Sequence, residues 1–303
     1  MKVVITGTTG LIGSSLIPFL TTAGHEVASL VRASPSSDGS EFAWNPDTGE
    51  LDAAAFEGAD AVVHLAGETI EGRWTDAKKR KIEESRVRGT SLMSQTLAGL
   101  PSPPGVLVAS SAVGYYGNRG DEVLTEASTR GSGFLADVCQ KWEEATAPAA
   151  EKGIRVVNLR TAPVLTPRGG PLARLLTPFR LGLGGPVGSG DQYFPWISID
   201  DIVGAIYHGI ATDSLSGPVN AVAPEQVTNR AFGKTLGRVL GRPAFLPLPS
   251  FAVRLAFGQM GEELLLASQR VDARELVESG YEFRFPTLEG ALRHLLGGSA
   301  DDD

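Results

Sequence analysis

A single cysteine, Cys139, stands in 303 residues. One thiol closes no intramolecular disulfide and builds no cysteine metal cluster, so the expected setting is reducing and cytoplasmic. No apolar run approaches the roughly 18 residues that a membrane-spanning helix needs. The opening "MKVVITGTTG" runs from Met1 straight into what reads as a core strand, without a signal-peptide pattern. Basic runs are equally scarce. The formal charge is −8, and the nearest thing to a cluster, Lys78 to Lys81, is followed by Glu83 and Glu84, as on a solvated helix face. Phosphate backbones require clustered Lys and Arg, so nucleic acid is not an expected partner, and without a long apolar run neither is a membrane. No spacing of His, Asp and Glu suggests a metal site. The acidic tail, residues 298–303, reads as disordered.

What the chain does have is glycine in an informative place. "KVVIT" (Lys2 to Thr6) is short and β-branched and fits a buried parallel strand. "GTTGLIG" follows, then a helical run to Gly24 and a second strand, "EVASLVR". In that order the glycines have separate tasks. Gly7 permits the tight turn, Gly10 lets backbone approach a pyrophosphate, and Gly13 lets the helix pack on the strand. Thr9, Leu11 and Ile12 complete the candidate phosphate loop. The second strand ends at Arg32, where a site for NAD usually carries Asp or Glu to accept from the ribose hydroxyl. A guanidinium fork there suits a 2′-phosphate, so the expected cofactor is NADP(H).

"DAVVHLAG" (60–67), "GVLVASSAVGYYG" (105–117) and "IRVVNLRTAPVL" (154–165) read as further strands, with helices over about 75–100 and 133–152 between them. Repeated strand–helix alternation predicts an α/β fold with a doubly wound, Rossmann-type parallel sheet. The stretches "TGTTGLIG", "VVHLAG", "VRGTSLM", "SSAVGYYG" and "FPWISIDDIVGAI" resemble the extended short-chain dehydrogenase/reductases over nearly the whole chain. More narrowly, "LAGETIEGRWTDAKKRKIEESR", "RLGLGGPVGSGDQYFPWISIDD" and "SGYEFRFPTLEGALRHLL" resemble an atypical, epimerase-like subgroup of unknown substrate. The resemblance implies a Rossmann core over 1–165 and 196–225, and a smaller C-terminal α/β substrate lobe over 166–195 and 226–297. It also implies that Leu65, Ala66 and Gly67 line the adenine–ribose side, with Ser110 at the end of the fifth strand nearby. Arg86 stands where the wider family has Asn, and is a candidate for phosphate or an anionic substrate. Dimers are common in that family, so a homodimer is expected.

The wider family works with Tyr-x-x-x-Lys on the helix after the fifth strand, followed by a glutamate. Four-residue spacing puts both side chains on one helical face, and the ammonium lowers the phenol's pKa for acid–base work. Anchoring on Glu143 puts Leu135 and Cys139 in the two positions, and anchoring on Glu144 gives Ala136 and Gln140. The five tyrosines, 115, 116, 193, 207 and 281, are followed four residues later by Arg119, Gly120, Ile197, Ala211 and Phe285. The pair is therefore missing, not displaced. The family's catalytic serine, counted back four from Tyr116, falls on Ala112; counted from Tyr115 it falls on Ser111. Tyr115, Tyr116 and Ser111 are the replacement candidates. Cys139 and His64 read as core residues more readily than as nucleophile and base.

In the second half, Arg174, Arg180, Gln192, Tyr193 and Trp196 are candidates for ligand contact in a lid-like segment. One of Asp200 and Asp201 is expected to cap the helix that follows. Three functions fit this sequence. The first is an NADP(H)-dependent oxidoreductase acting on an unidentified small molecule, and the second a non-catalytic NADP(H)-binding sensor or docking protein. A nucleotide-sugar epimerase comes third, because that chemistry leans on the missing tyrosine.

Overall fold

The computed structural model describes residues 1–32, 34–37 and 39–297; the tail 298–303 lies outside them. Strand β1 (Lys2–Thr6) leads through α1 (Gly13–Thr22) to β2 (Glu26–Val31), β3 (Glu41–Asn45) and its hairpin partner β4 (Glu50–Leu51). Then come β5 (Ala61–His64), α2 (Asp76–Gly99), β6 (Val106–Ala112), short β7 (Val123–Leu124), α3 (Phe134–Glu144), α4 (Ala147–Glu151) and β8 (Arg155–Thr161). β9 (Val164–Leu165), α5 (Gly170–Arg180), β10 (Ile197–Ser198), α6 (Ile199–Ala211) and β11 (Gly217–Ala221) follow. The C-terminal part holds α7 (Asn229–Val239), α8 (Ser250–Phe257), the single turn α9 (Gln259–Gly261) and a π-helical turn, Glu262–Leu266. It ends with β12 (Arg270–Val271), α10 (Arg274–Glu278) and α11 (Leu288–Leu296).

The main sheet has eight strands in the order β11-β8-β6-β5-β1-β2-β3-β4. Every pairing is parallel except β3 with β4. The chain winds outward from β1 to β3, then restarts at β5 on the other side of β1. This is the Rossmann-type doubly wound sheet that strand–helix alternation predicts, and its switch point lies between β1 and β5. Both faces are covered, which is why the strands are apolar throughout and not alternating. Val3 and Ile5 pack with Leu16 of α1 and Ile202 and Ile206 of α6, while Val4 packs on the other face with Met93 and Leu97 of α2. A separate apolar cluster joins α5, α7 and α11 around Phe179, Trp196 and Phe232.

Several expectations need correction. The stretch 133–152 is not one helix: it breaks at Ala145–Thr146, and Pro148 sits in the first turn of α4, where a missing N–H costs nothing. The strand 154–165 is split by Ala162–Pro163 into β8 and β9. The cap of α6 is Ser198, whose hydroxyl accepts from Asp201 N–H at 2.9 Å. Asp201 is instead fully buried, and its carboxylate accepts from the backbone of Arg284 and Phe285 at 2.7 and 3.2 Å, tying α6 to the C-terminal segment. Strand β3 had no sequence expectation; it pairs with β2 and buries Trp44. Among the described residues no helix is long and apolar enough to cross a membrane, and no cluster of three His, Cys, Asp or Glu is placed to hold a metal.

Candidate functional site

The carboxyl ends of β1 and β5 are joined by one hydroxyl. Thr6 Oγ1 accepts from the N–H groups of Leu65 and Ala66 at 3.1 and 3.2 Å, and lies 2.8 Å from His64 Nδ1. With both lone pairs occupied, the Thr6 proton goes to Nδ1, so the imidazole is the neutral Nε2–H tautomer. Burial agrees: it lowers the His64 pKa to about 4. The ring meets Trp44 edge to face at 5.5 Å. His64 is a packing residue that fixes the loop at Leu65–Ala66.

Gly7 turns at φ +71°, and a Cβ there would lie 2.8 Å from the Leu65 carbonyl carbon. A Cβ on Gly13 would stand 2.3 Å from Gly7 O. These two glycines therefore allow α1, the turn and the β5 loop to touch. Gly10 differs: it is exposed, its N–H donates to Gly7 O at 3.0 Å, and a Cβ would meet only that oxygen, at 3.1 Å. The first turn of α1 holds no acidic residue, and its N-cap, Ile12, makes no side-chain cap. A positive helix end without an internal anion, approached by bare backbone at Gly10, fits a pyrophosphate. Thr9 is exposed, and Leu11 packs within 3.0 Å of the Cβ position of Gly169, ahead of α5. Arg32, one residue past β2, is exposed and makes no ion pair among the described residues; its charge reaches Glu68.

Gly67 abuts Arg86, whose Cζ lies 3.4 Å from the Cβ position. Arg86 Nη1 donates to the carbonyls of Glu68 and Ile82 at 2.9 and 3.2 Å, and its guanidinium covers the Trp142 ring at 4.8 Å. Burial lowers its pKa from the arginine value. Protein groups thus occupy much of this candidate. Glu68 pairs with Lys78 at 2.6 Å, and that bond holds its carboxyl below the usual range. Glu71, farther along the loop, pairs with Arg174 of α5 at 3.0 Å, fastening the β5 loop to the lid-like segment.

In the register anchored on Glu143, the two dyad positions lie beside the turn that follows β6. Leu135 Cβ and Cys139 Sγ lie 3.2 and 3.7 Å from the Cβ position of Gly114, two residues beyond Ala112. Leu135, Cys139 and Ala112 are all apolar. Leu135 packs with Trp74, Ile82 and Val138 under Met260 and Leu264. Burial, then Glu143, pushes the Cys139 thiol up to about 12.

The replacement candidates occupy a buried network beside this wall. Ser111 donates to Glu143 Oε1 at 2.6 Å. Glu143 binds Arg160 through both oxygens, and Arg160 Nη1 donates to Tyr116 Oη at 3.0 Å. The Tyr116 hydroxyl points to Asn220 Oδ1 at 2.7 Å and the Thr125 carbonyl at 3.0 Å. Tyr116 has no exposed surface, and burial pushes it up to about 12 against the pull of Arg160. Such a phenol has no route to a ligand, which corrects its candidacy. Tyr115 lies across the same guanidinium, 3.6 Å from ring centroid to Cζ, and its hydroxyl makes no hydrogen bond among the described residues. Ser110 is likewise half-buried without a hydrogen-bond partner there. Sequence reasoning missed Arg160; the signal was a second arginine closing the strand stretch "RVVNLR". It also missed Glu263, whose carboxylate accepts from Phe134 and Leu135 N–H at 3.1 and 2.9 Å.

Of the lid candidates, Trp196 is buried with its Nε1 donating to Glu225 O at 3.2 Å, so it belongs to the core. Gln192 donates to Val187 and Leu265 carbonyls, Arg270 covers the Tyr193 ring at 5.1 Å, and Arg180 is exposed.

Residues 3–221 match the NAD dependent epimerase/dehydratase family. The chain belongs to that family. Residues 248–295 also match a domain of unknown function, DUF1731. Among similar epimerase family proteins, Mb2239 of Mycobacterium bovis is 45% identical over 291 residues, 96% of each chain. The human epimerase family protein SDR39U1 is 38% identical over 300 residues, 98% of this chain and all of its own. A crystal structure of human SDR39U1 with NADPH superposes with a TM-score of 0.90 at 36% identity, covering 99% of this chain and 100% of that one. A nucleoside-diphosphate sugar epimerase from Corynebacterium glutamicum superposes at 0.83 with 40% identity; 99% of this chain spans 59% of that one.

Proposed function

We propose that this epimerase-family protein binds NADP(H) across the switch point between β1 and β5 and serves as an oxidoreductase for a small substrate. The observation that carries the reading is the uncapped N-terminus of α1 behind an exposed Gly10, with Arg32 at the end of the neighbouring strand. The NADPH in human SDR39U1 supports it. Gly7, Thr9, Gly10, Leu11, Ile12 and Gly13 would hold the pyrophosphate, Arg32 the 2′-phosphate, and Leu65, Ala66, Gly67 and Ser110 the cofactor's flanks. Arg86 would act at one remove, by shaping the Gly67–Glu68 turn. The nicotinamide supplies or accepts hydride when bound. Hydride transfer needs orientation first, and acid–base help adds typically 10²–10⁴-fold. Tyr115 is the phenol assigned to face the substrate, because Arg160 fixes its ring while its hydroxyl stays unclaimed. Ser111 donates its hydrogen bond to Glu143 and would act on the site through that network. The lobe 166–195 and 226–297 would close over the substrate.

A second reading, a non-catalytic NADP(H)-binding sensor, is favoured by the apolar wall of Ala112, Leu135 and Cys139. The same wall argues against epimerisation through a tyrosine base. Titration calorimetry with NADPH and NADH, followed by deuteride transfer from labelled NADPH to a carbonyl library, separates the readings. NADPH-selective binding with transfer supports the oxidoreductase, and selective binding without transfer supports the sensor. Binding of neither nucleotide overturns both. Arg32→Ala is expected to weaken NADPH far more than NADH; equal losses would remove Arg32 from the site.

A further inference from the structure

Among the described residues twelve large apolar side chains are exposed, and eight of them fall on two short stretches, 181–183 and 245–257. The stretches run side by side. Leu246 N–H donates to Gly184 O at 3.0 Å, Gly188 N–H to Leu248 O at 2.8 Å, and Arg242 Nε to Arg180 O at 3.0 Å. This ribbon, bearing Leu181, Leu183 and Phe245 at 69%, 59% and 70% exposure, runs into α8. In α8 the roles of the faces are inverted. Val253 is buried, while Phe251 and Leu255, four residues apart on one face, are 71% and 78% exposed. So many exposed apolar side chains on two neighbouring stretches of one lobe mark an interaction site.

The charge around it says what kind. From residue 166 to 190 and from 226 to 261 the lobe has eight Lys and Arg and no Asp or Glu, although the whole protein carries −8; four of the eight, Arg174, Arg230, Arg238 and Arg254, pair with acids outside these stretches. Arg180 and Arg242 flank the ribbon, are exposed, and make no ion pair among the described residues. Arg254 is already engaged by Glu262 at 2.8 Å. A second copy meeting this face about a two-fold axis would bring the cationic rims together. An anionic bilayer attracts the rim and receives protruding Phe and Leu without any matching shape. We propose that this face docks on an anionic lipid surface, with Phe245, Phe251 and Leu255 entering the headgroup region and Arg180 and Arg242 on lipid phosphates. Docking of this kind needs no spanning helix. The expectation of no membrane partner rested on the lack of a long apolar run, which does not bear on it.

The test is co-sedimentation of the full chain with vesicles of phosphatidylcholine alone and of phosphatidylcholine with phosphatidylglycerol. Binding is expected only to the second, weakening as salt rises. Phe251→Ser and Leu255→Ser should each lower partitioning about tenfold, and Arg180→Glu or Arg242→Glu about fivefold or more. Thermal melts of the Phe251, Leu255 and Arg180 variants should be unchanged, because those exposed side chains hold no other part of the fold; Arg242→Glu also gives up its bond to Arg180 O and is read beside them. Failure to bind the phosphatidylglycerol vesicles overturns the proposal, as does binding that the four substitutions leave intact. Sedimentation velocity supplies the other adverse outcome: a dimer that the Phe251 and Leu255 variants split would show that a second copy covers this face.

Discussion

Glu143 and Arg160 meet in a two-point ion pair, Oε1 to Nε and Oε2 to Nη2, each 2.8 Å. Their side chains are 13% and 3% exposed. Burial alone would lower the Arg160 pKa; the Glu143 carboxylate outweighs it and holds the guanidinium above its ordinary value. Glu143→Ala would strand a buried cation and take the acceptor from Ser111. The expected loss is about 3–5 kcal/mol in urea unfolding. Joining it with Arg160→Met should recover part of that loss, since no unpaired charge is left, and a double-mutant cycle reads the difference.

Gly10 and Gly13 should separate cofactor binding from folding. A methyl at Gly10 meets only Gly7 O at 3.1 Å, so Gly10→Ala is expected to melt within a few degrees of the parent while losing NADPH affinity. A methyl at Gly13 lies 2.3 Å from the same backbone oxygen. Gly13→Ala must push α1 off the turn, at a cost of about 2 kcal/mol or more. Thermal melts and NADPH titration of both variants check the pair.

Acid should unfold the protein partly through His64. Its folded pKa is about 4 against 6.5 when exposed, so the unfolded chain takes the proton first. The stabilisation is complete above pH 6.5, falls away as pH drops toward 4, and changes no further below that. The difference corresponds to about 3 kcal/mol. His64→Leu should be less stable at neutral pH yet show a flatter stability profile between pH 6.5 and 4. An unchanged slope would mean another group carries the acid sensitivity.

The Cys139 thiol, 2% exposed and pushed up to about 12, should resist a disulfide reagent in the native protein at pH 8 and react at once in urea. Rapid native labelling would mean that α3 opens locally and that the apolar wall is not closed.

Much of the sheet was legible because each parallel strand is an apolar run bounded by glycine or a small residue, and because the glycine spacing comes directly after the first of them. The missing tyrosine and lysine were legible too, since absence along a chain needs no geometry. Partnerships across the fold were not. Arg160 and Glu143 are 17 residues apart, and nothing local says that a strand-end arginine will turn inward onto a helix glutamate. Tyr115 and Tyr116 are neighbours of equal chemistry in sequence; only the strand-end turn decides that one hydroxyl is sealed in and the other left unclaimed. The cap of α6 was misread for a similar reason: an aspartate in a first turn looks like a cap until a serine ahead of it takes the role.

Helix α3 begins under a carboxylate supplied from 128 and 129 residues farther along. During synthesis, β1 through β11 can emerge and pair while this helix end still faces water. It acquires Glu263 only after the DUF1731 segment has left the ribosome. Truncation before residue 248 would therefore do more than remove a lobe. It would leave the first turn of α3 with two backbone donors uncovered and Leu135 stripped of Met260 and Leu264, so the Rossmann portion is finished by a segment made after it.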